Sequence, residues 1–459
     1  MAVIIDADDY FRLARDAFLK AERRIMLIGW DFDARITLAD DGEGPEQVGD
    51  FLYWLIQRNP ELELYLLRWD LGAIKSLFRG RTAFTIMKWM RHPRIHVRLD
   101  GHHPPGASHH QKIVSIDDRV AFCGGIDMTG DRWDTSCHRD DEPRRKRPGG
   151  QPYKPWHDAT TCLSGSAAKA IGELARHRWR LAGGEDLPPV ALRGGDGWPD
   201  DLRPDFRRAR IGIARTEPEV DGSPLINEVE RLFLAQIAAA RRHLYCESQY
   251  FASRRVAEAI ALRLDEADGP EIVVVNPLTA QGWLEPIAMD SARARLVEAL
   301  RRRDPHGRFR IYHPFTAGGA PIYAHAKITI VDDCSLRVGS ANLNNRSQRL
   351  DTECDVVIDA TSQPEPVQGR ITAIRDSLLA EHLGVEPEQV AALITETDSL
   401  IAAIERLRGP GRSLRPYETP DLPAVEKWLA DNEVLDPEDP HEEFEPLGNR
   451  GLWRRLRPA

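Results

Sequence analysis

The sequence predicts an α/β fold of two similar halves related by a pseudo-twofold duplication. Each half is expected to be a mostly mixed β-sheet flanked by helices, with the active site between them. Three observations predict this. The pattern H-x-K-x4-D occurs twice, as His110-Gln111-Lys112 with Asp117 and as His325-Ala326-Lys327 with Asp332. Each copy adjoins an apolar strand pattern and is trailed by a small pair, Gly124-Gly125 and Gly339-Ser340. The surroundings repeat as well: Arg23-Arg24-Ile25-Met26-Leu27 resembles Arg241-Arg242-His243-Leu244-Tyr245, 218 residues further on, close to the 215 that separate the motif histidines.

The elements follow in the same order in both halves. Phe11, Ala14, Phe18 and Ala21 keep helical spacing, as do Val229, Phe233, Ile237 and Ala240. Strand-like runs come next, Ile25–Ile28 and Leu244–Cys246, then Leu62–Leu67 and Ile272–Val275, then Ile95–Leu99 and Phe309–Tyr312. The motif strands are Ile113–Ile116 and Ile328–Val331. Asp117-Asp118 and Asp332-Asp333 then turn the chain into Val120–Cys123 and Leu336–Val338. The first half is placed at 1–200, with its motif at about 104–131, and the second at 201–408, with its motif at about 319–346. Between them run Gly183-Gly184, Pro188-Pro189, Gly194-Gly195, Gly197, Pro199 and Pro204. A helical region spans about 366–407, and Gly409-Pro410-Gly411 opens an acidic tail, 409–459.

Composition narrows the function. The chain has 459 residues, 42% hydrophobic, and a formal net charge of -10. That balance makes nucleic acid an unlikely main partner. Eight carboxylates without a Lys or Arg lie in 431–446, so the remainder is nearly neutral and compatible with a basic cleft. The six cysteines form no C-x-x-C, which suits reduced thiols in a cytoplasmic protein. No secretion signal opens the chain, and Ile25–Trp30 is too short to cross a bilayer, so any membrane contact is expected to be peripheral, at the inner surface. His102, His103, His109 and His110 are interrupted by Pro104-Pro105-Gly106 and lack ligand spacing. No metal and no cofactor are expected. Arg144-Arg145-Lys146-Arg147 reads as a solvated loop, with contact to anionic phospholipid as the alternative, and the apolar residues between Trp69 and Met90 as core or cleft lining, with a membrane-facing patch as the alternative.

Two imidazoles and two ammonium groups suit an anionic phosphodiester. Lys112 and Lys327 neutralise the charge that repels a nucleophile. Strand alternation puts each lysine on the side of its histidine, and a pseudo-twofold packing brings all four together. One histidine must be neutral to attack phosphorus and the other protonated to donate to the leaving oxygen, which predicts a bell-shaped pH–rate profile. The small pairs Gly124, Gly125, Gly339 and Ser340 are expected to leave room for the phosphate and offer it backbone N–H groups. Asp117 and Asp332 enter the catalytic set as motif members, although their place at strand ends suggests turn capping.

The paired motifs resemble the phospholipase D superfamily. The second copy, Ile322 to Lys327 through Gly339-Ser340-Ala341-Asn342-Leu343-Asn344-Asn345-Arg346-Ser347, looks like its eukaryotic-type branch. So do Glu247-Ser248-Gln249-Tyr250-Phe251, Trp156-His157-Asp158, Arg132-Trp133-Asp134-Thr135 and Ala380-Glu381-His382-Leu383-Gly384, although that branch usually has Asn where Ser248 stands. The resemblance covers roughly 1–400. It implies a covalent phosphohistidine route with His110 as nucleophile and His325 as general acid, then base. It further implies that Asn342 and its counterpart Asp127 hold the phosphate and that Asp158 and Glu353, downstream of the histidines, orient the rings. The expected reaction converts glycerophospholipid at a membrane surface to phosphatidate and head-group alcohol, with water or an alcohol as acceptor. The alternatives are a cardiolipin synthase-like phosphatidyltransferase, a nuclease-type phosphodiesterase and a non-catalytic lipid-binding descendant. The sequence leaves the oligomeric state open.

Overall fold

The computed structural model describes residues 1–70, 81–191, 194–220, 222–281 and 289–420. The acidic stretch 431–446 and the basic terminus read from the sequence lie outside these residues, as do Leu71, Leu77 and Phe78. In chain order the first half carries β1 (Ala2–Ile5), β2 (Arg24–Gly29), β3 (Glu63–Trp69), β4 (Ile95–Asp100), β5 (Ile113–Ile116), β6 (Val120–Gly124), β7 (Trp156–His157) and β8 (Ala159–Ser164). The second carries β9 (Gly212–Glu217), β10 (Ile226–Asn227), β11 (His243–Glu247), β12 (Glu271–Val275), β13 (Phe309–Phe315), β14 (Tyr323–Ala324), β15 (Ile328–Val331), β16 (Ser335–Gly339), β17 (Glu353–Asp359) and β18 (Ser413–Pro416).

The duplication is explicit in the sheets. The first is ordered β1-β8-β6-β5-β2-β3-β4, and the second contains the equivalent run β9-β17-β16-β15-β11-β12-β13, extended by β10 at one edge and β18 at the other. In both, the three strands after the first long helix pair parallel and the motif hairpin adds antiparallel, so the sheets are mixed. One apolar core joins the halves: Ile28, Ile113, Ala121 and Cys123 of the first sheet lie in it with Val275, Ile328, Leu336 and Val356 of the second. Helices cover the outer faces, Ala7–Leu19 and Val48–Arg58 on one side and Glu228–Ala239 and Arg254–Leu264 on the other. Each sheet has two apolar faces to bury, and stacking with helix cover satisfies both. No helix among the described residues is long and apolar enough to cross a membrane.

The boundary at 409 needs correcting. Ser413–Pro416 pairs antiparallel with β13, and Tyr417 is buried, so residues to at least 417 belong to the second half. Gly409-Pro410-Gly411 marks a turn, not a domain edge.

The motif aspartates fold the chain. Asp117 and Asp118 both have positive φ, 54° and 54°, as do Asp332 and Asp333, 50° and 57°. Two consecutive left-handed residues make a tight primed turn, which Asp tolerates better than most side chains. Asp117 then accepts backbone N–H bonds from Glu22, Arg23 and Arg24 at 2.7–2.8 Å, and Asp332 from Arg241, Arg242 and His243 at 2.6–2.8 Å. Asp118 pairs with Arg176 and Asp333 with Arg375, each on the helix that follows its half's last long strand. Asp117 and Asp332 are therefore withdrawn from the catalytic set: their carboxylates are committed to the entry into β2 and β11. Asp117→Ala is expected to cost about 1–3 kcal/mol in urea unfolding, and Asp332→Ala less because water reaches its partners. Folded Asp332→Ala protein should keep its kcat.

Candidate active site

Each motif histidine is carried across to the other half. β14 pairs parallel with β7, so Tyr323 N donates to Pro155 O at 2.8 Å and His325 N to His157 O at 2.7 Å. In the mirror position His110 N donates to Thr352 O at 3.0 Å, and Thr352 N donates to Ser108 O at 3.0 Å. The H-x-K residues thus occupy extended runs just ahead of β5 and β15 rather than the strands themselves. Each run is pinned beside the residue that precedes the other half's carboxylate. Gly125 makes the crossing of His325 to Asp158 possible, because a Cβ there would stand 2.2 Å from Asp158 Oδ1.

The ring contacts follow from that backbone. His110 Nδ1 donates to the Glu353 carboxylate at 3.0 Å, and His325 Nδ1 to Asp158 at 2.6 Å. Both carboxylates are fully buried. Asp158 and Glu353, expected to orient the rings, each bond the histidine of the opposite half. With the proton fixed on Nδ1, Nε2 holds the lone pair in each neutral ring. Ser340 Oγ donates to Glu353, and Ala159 N to Asp158 at 2.8 Å, so both carboxylates are themselves held.

Lys112 Nζ donates to His110 O at 2.7 Å, and Lys327 Nζ bonds His325 O. Burial, then Lys112 and Lys327, push the His110 pKa well below the ordinary imidazole value. Burial and then Lys327 do the same to His325, against the pull of Asp158. Burial also lowers Lys327 to about 7, helped by Lys112. Burial raises Glu353 to about 7, whereas the His325 ring and Lys327 outweigh burial at Asp158 and hold it below the usual carboxylate range. Charges of both halves act on one site. Burial and the lysines thus favour the neutral form of both imidazoles.

The assignments around the phosphate change. Gly124 N bonds Lys112 O and Gly339 N bonds Lys327 O, at 3.4 and 3.1 Å; Gly125 N bonds Ala159 O at 2.8 Å, and Ser340 N bonds Asp355 Oδ1 at 2.9 Å. These N–H groups are used, so none is a phosphate donor. The glycines serve close packing: a Cβ at Gly124 would meet Thr160 Cα at 2.3 Å, and one at Gly339 would meet Asp355 Oδ1 at 1.9 Å. Ser340 acts through its hydroxyl on Glu353. Asp127 is corrected too. It pairs with Lys112 at 3.4 Å and accepts from Trp30 N at 3.1 Å, and a carboxylate so placed would repel a phosphate. Asn342 keeps its expected role open. Its Nδ2 reaches Gln249 Oε1 at 3.5 Å and its buried Oδ1 has no hydrogen-bond partner, while Ser248 Oγ accepts from Leu343 N at 3.1 Å and braces the loop.

Several groups had no assigned part in the sequence reading. Arg132 lies over the Trp156 ring at 4.3 Å, and that ring is 5.0 Å from His325, which brings a third cation to the acid side. His109 bonds Thr352 Oγ1 at 3.0 Å and Asp100 at 3.0 Å, tightening the run that carries His110. Below His325, donor atoms of Asp6, His138, His157 and Glu381 lie within 4.8 Å of one another. His138 Nδ1 and His157 Nε2 are bound in turn by Asp134 and Glu247, at 3.0 and 2.8 Å. Two carboxylates and two imidazoles with carboxylate support could hold a divalent cation. The expectation of no metal rested on local spacing, which cannot reveal four residues brought together from both halves. The basic loop 144–147 is largely paired: Arg144 with Asp40, Arg145 with Asp134 and Arg147 with Asp131.

Comparison with known proteins agrees with this architecture. Residues 233–373 match the family model described as cardiolipin synthase, PLD-like domain. Phospholipase D alpha 1 of Carica papaya is 24% identical, aligned over 82% of this chain and 64% of that protein. Phospholipase D A of Dictyostelium discoideum is 23% identical over 84% of this chain and 35% of its own length. The chain therefore spans less than two thirds of these relatives. The crystal structure of phosphatidylserine synthase from Haemophilus influenzae Rd KW20 superposes with a TM-score of 0.55 at 14% identity, covering 88% of this chain and 94% of that one, a likeness of fold.

Proposed function

From the premise that this chain belongs to the phospholipase D superfamily, we propose that it is a phosphodiesterase that cleaves glycerophospholipid to phosphatidate and head-group alcohol and can pass the phosphatidyl group to another alcohol. The observation that carries the reading is the crossed pair His110–Glu353 and His325–Asp158 beside Lys112 and Lys327. His110 Nε2 attacks phosphorus and forms the P–N bond as the P–O bond to the head group breaks. His325, protonated once the anionic substrate offsets the lysines, donates its proton to the leaving oxygen. The neutral His325 then takes a proton from water or an alcohol, whose oxygen attacks phosphorus and releases His110. Asp158 and Glu353 stabilise each ring as it becomes cationic. A cytoplasmic location with peripheral contact to the membrane is part of the same proposal.

The test is incubation with mixed phospholipids and a primary alcohol, with and without chelator, followed by lipid analysis. Head-group release with formation of the phosphatidyl alcohol is expected. A second reading, a phosphatidyltransferase that prefers a lipid alcohol, is favoured by the description of the matched family model. It predicts a dimeric phospholipid in place of phosphatidate. Intact lipids beside cleaved single-stranded DNA would overturn both.

The pH dependence follows from Lys327. Its pKa of about 7 means that the free pocket loses a positive charge as pH rises through neutrality. kcat/KM, which reports the free enzyme, is expected to fall by up to tenfold per pH unit above about 7. A bound anion raises the lysine, so the alkaline limb of kcat lies higher. The acid limb belongs to His110, which must be neutral to attack, and lies below the ordinary imidazole value. A kcat/KM that stays flat from pH 6 to 9 would contradict this.

A further inference from the structure

We propose that the helix Arg81–Trp89, through Phe84, Met87 and Met90 with Lys88 and Arg91 beside them, is the face by which the protein docks on an anionic phospholipid bilayer. The proposal rests on the phospholipid reading above for the identity of that surface. The sequence favours core or cleft lining over a membrane-facing patch for this stretch. The structure instead leaves Phe84 67%, Met87 52% and Met90 63% exposed, while Trp89 turns inward against Phe32, ring centroids 5.7 Å apart. Leu99, on the neighbouring β4, is 51% exposed. Four of the seven large apolar side chains most exposed among the described residues therefore fall within residues 84–99.

The charge of this stretch favours an anionic partner. Residues 81–99 hold Arg81, Lys88, Arg91, Arg94 and Arg98 and no carboxylate, in a chain whose net charge is -10. Arg94 is spent on the backbone carbonyls of Ile56, Asn59 and Leu62, and Arg98 lies over the Trp179 ring. Lys88, 3.8 Å from the Tyr53 ring, and Arg91 remain exposed at the surface. An apolar stripe flanked by cations is the composition that settles at a lipid interface, with apolar burial and attraction to anionic head groups adding.

The helix also sits where a docking element would serve the site. Thr82 Oγ1, in its first turn, donates to Asp33 Oδ1 at 2.5 Å. Asp33 belongs to the segment after β2 that starts at Trp30 and Asp31, whose N–H groups bond Asp127, the partner of Lys112. Contact with the bilayer at this helix is thus linked to Lys112 through one short segment of chain.

The experiment compares the full-length protein with Phe84→Ser/Met87→Ser/Met90→Ser and with Lys88→Glu/Arg91→Glu. Vesicles of phosphatidylcholine alone, or with about a third phosphatidylglycerol, are sedimented. Turnover of a short-chain phosphatidylcholine below its micelle concentration is measured in parallel, with thermal melting to show that the variants fold. Expected are wild-type binding to anionic vesicles, at least tenfold weaker binding by either variant, and unchanged turnover of the monomeric lipid. Wild-type protein that ignores anionic vesicles would overturn the proposal, as would binding the triple variant retains. So would conversion of an oligomer to a monomer by the triple variant, which gives the face to a second copy of the chain. Vesicle binding through the helix without turnover of any phospholipid would sink the reaction and leave the docking face standing; turnover without helix-dependent binding would do the reverse.

Discussion

His110→Ala is expected to lower kcat by at least about 10²–10⁴-fold, and His325→Ala by a similar factor on a natural phospholipid, with both proteins folded. The two losses differ in kind. A nitrophenyl phosphodiester has a leaving group that needs no proton, so His325→Ala should still release one burst equivalent of nitrophenol and then stall with phosphorus on His110. His110→Ala should give no burst. Burial and the two lysines favour an unprotonated His110 Nε2, as attack requires, but His325 is lowered as well, so the burst and not the pKa separates the two roles. A burst from His110→Ala and none from His325→Ala would exchange the assignments. Retained turnover in both variants would remove the histidines from the chemistry altogether.

The second large effect belongs to the crossed carboxylates. Glu353→Gln and Asp158→Asn keep shape and lose charge, and each is expected to cost about 10²–10⁴-fold on phospholipid, by the logic of an oriented imidazole. The crossing decides which step suffers. Glu353 bonds His110, so Glu353→Gln should slow the nitrophenol burst, whereas Asp158→Asn should leave the burst nearly intact and slow the breakdown of the adduct. Pairing within each half would give the opposite pattern. Burst kinetics of the two variants distinguish them in one set of traces.

Much of this could be read from the chain because duplication turns a weak pattern into a strong one. Five strands of each half can be read in chain order from apolar runs at matched spacing, and periodicity alone found the two first helices, but β1, β8, β9, β17 and the order within the sheets were not read. Hidden were relations that depend on which backbone meets which. The motif runs cross to the other half through β7 and β14 and through Thr352, and no local pattern announces a bridge between residues more than 150 positions apart. The same distance concealed the Asp6, His138, His157 and Glu381 cluster. Gly124, Gly125 and Gly339 were misassigned for a different reason. A glycine signals close approach, and the sequence does not say by what: here the neighbours are Thr160, Asp158 and Asp355, not a ligand. Asp117 and Asp332 show that a motif can bind its members by folding as well as by chemistry.

The central claim is that residues of both halves form one phosphodiester site with His110 as the attacking group. It is tested most directly by quenching His325→Ala at alkaline pH after reaction with a nitrophenyl phosphodiester and mapping the adduct by mass spectrometry. A single adduct on His110, formed far more slowly when Glu353→Gln is added, is the expected result. An adduct on any other residue, or none from a protein that still turns over, would contradict it.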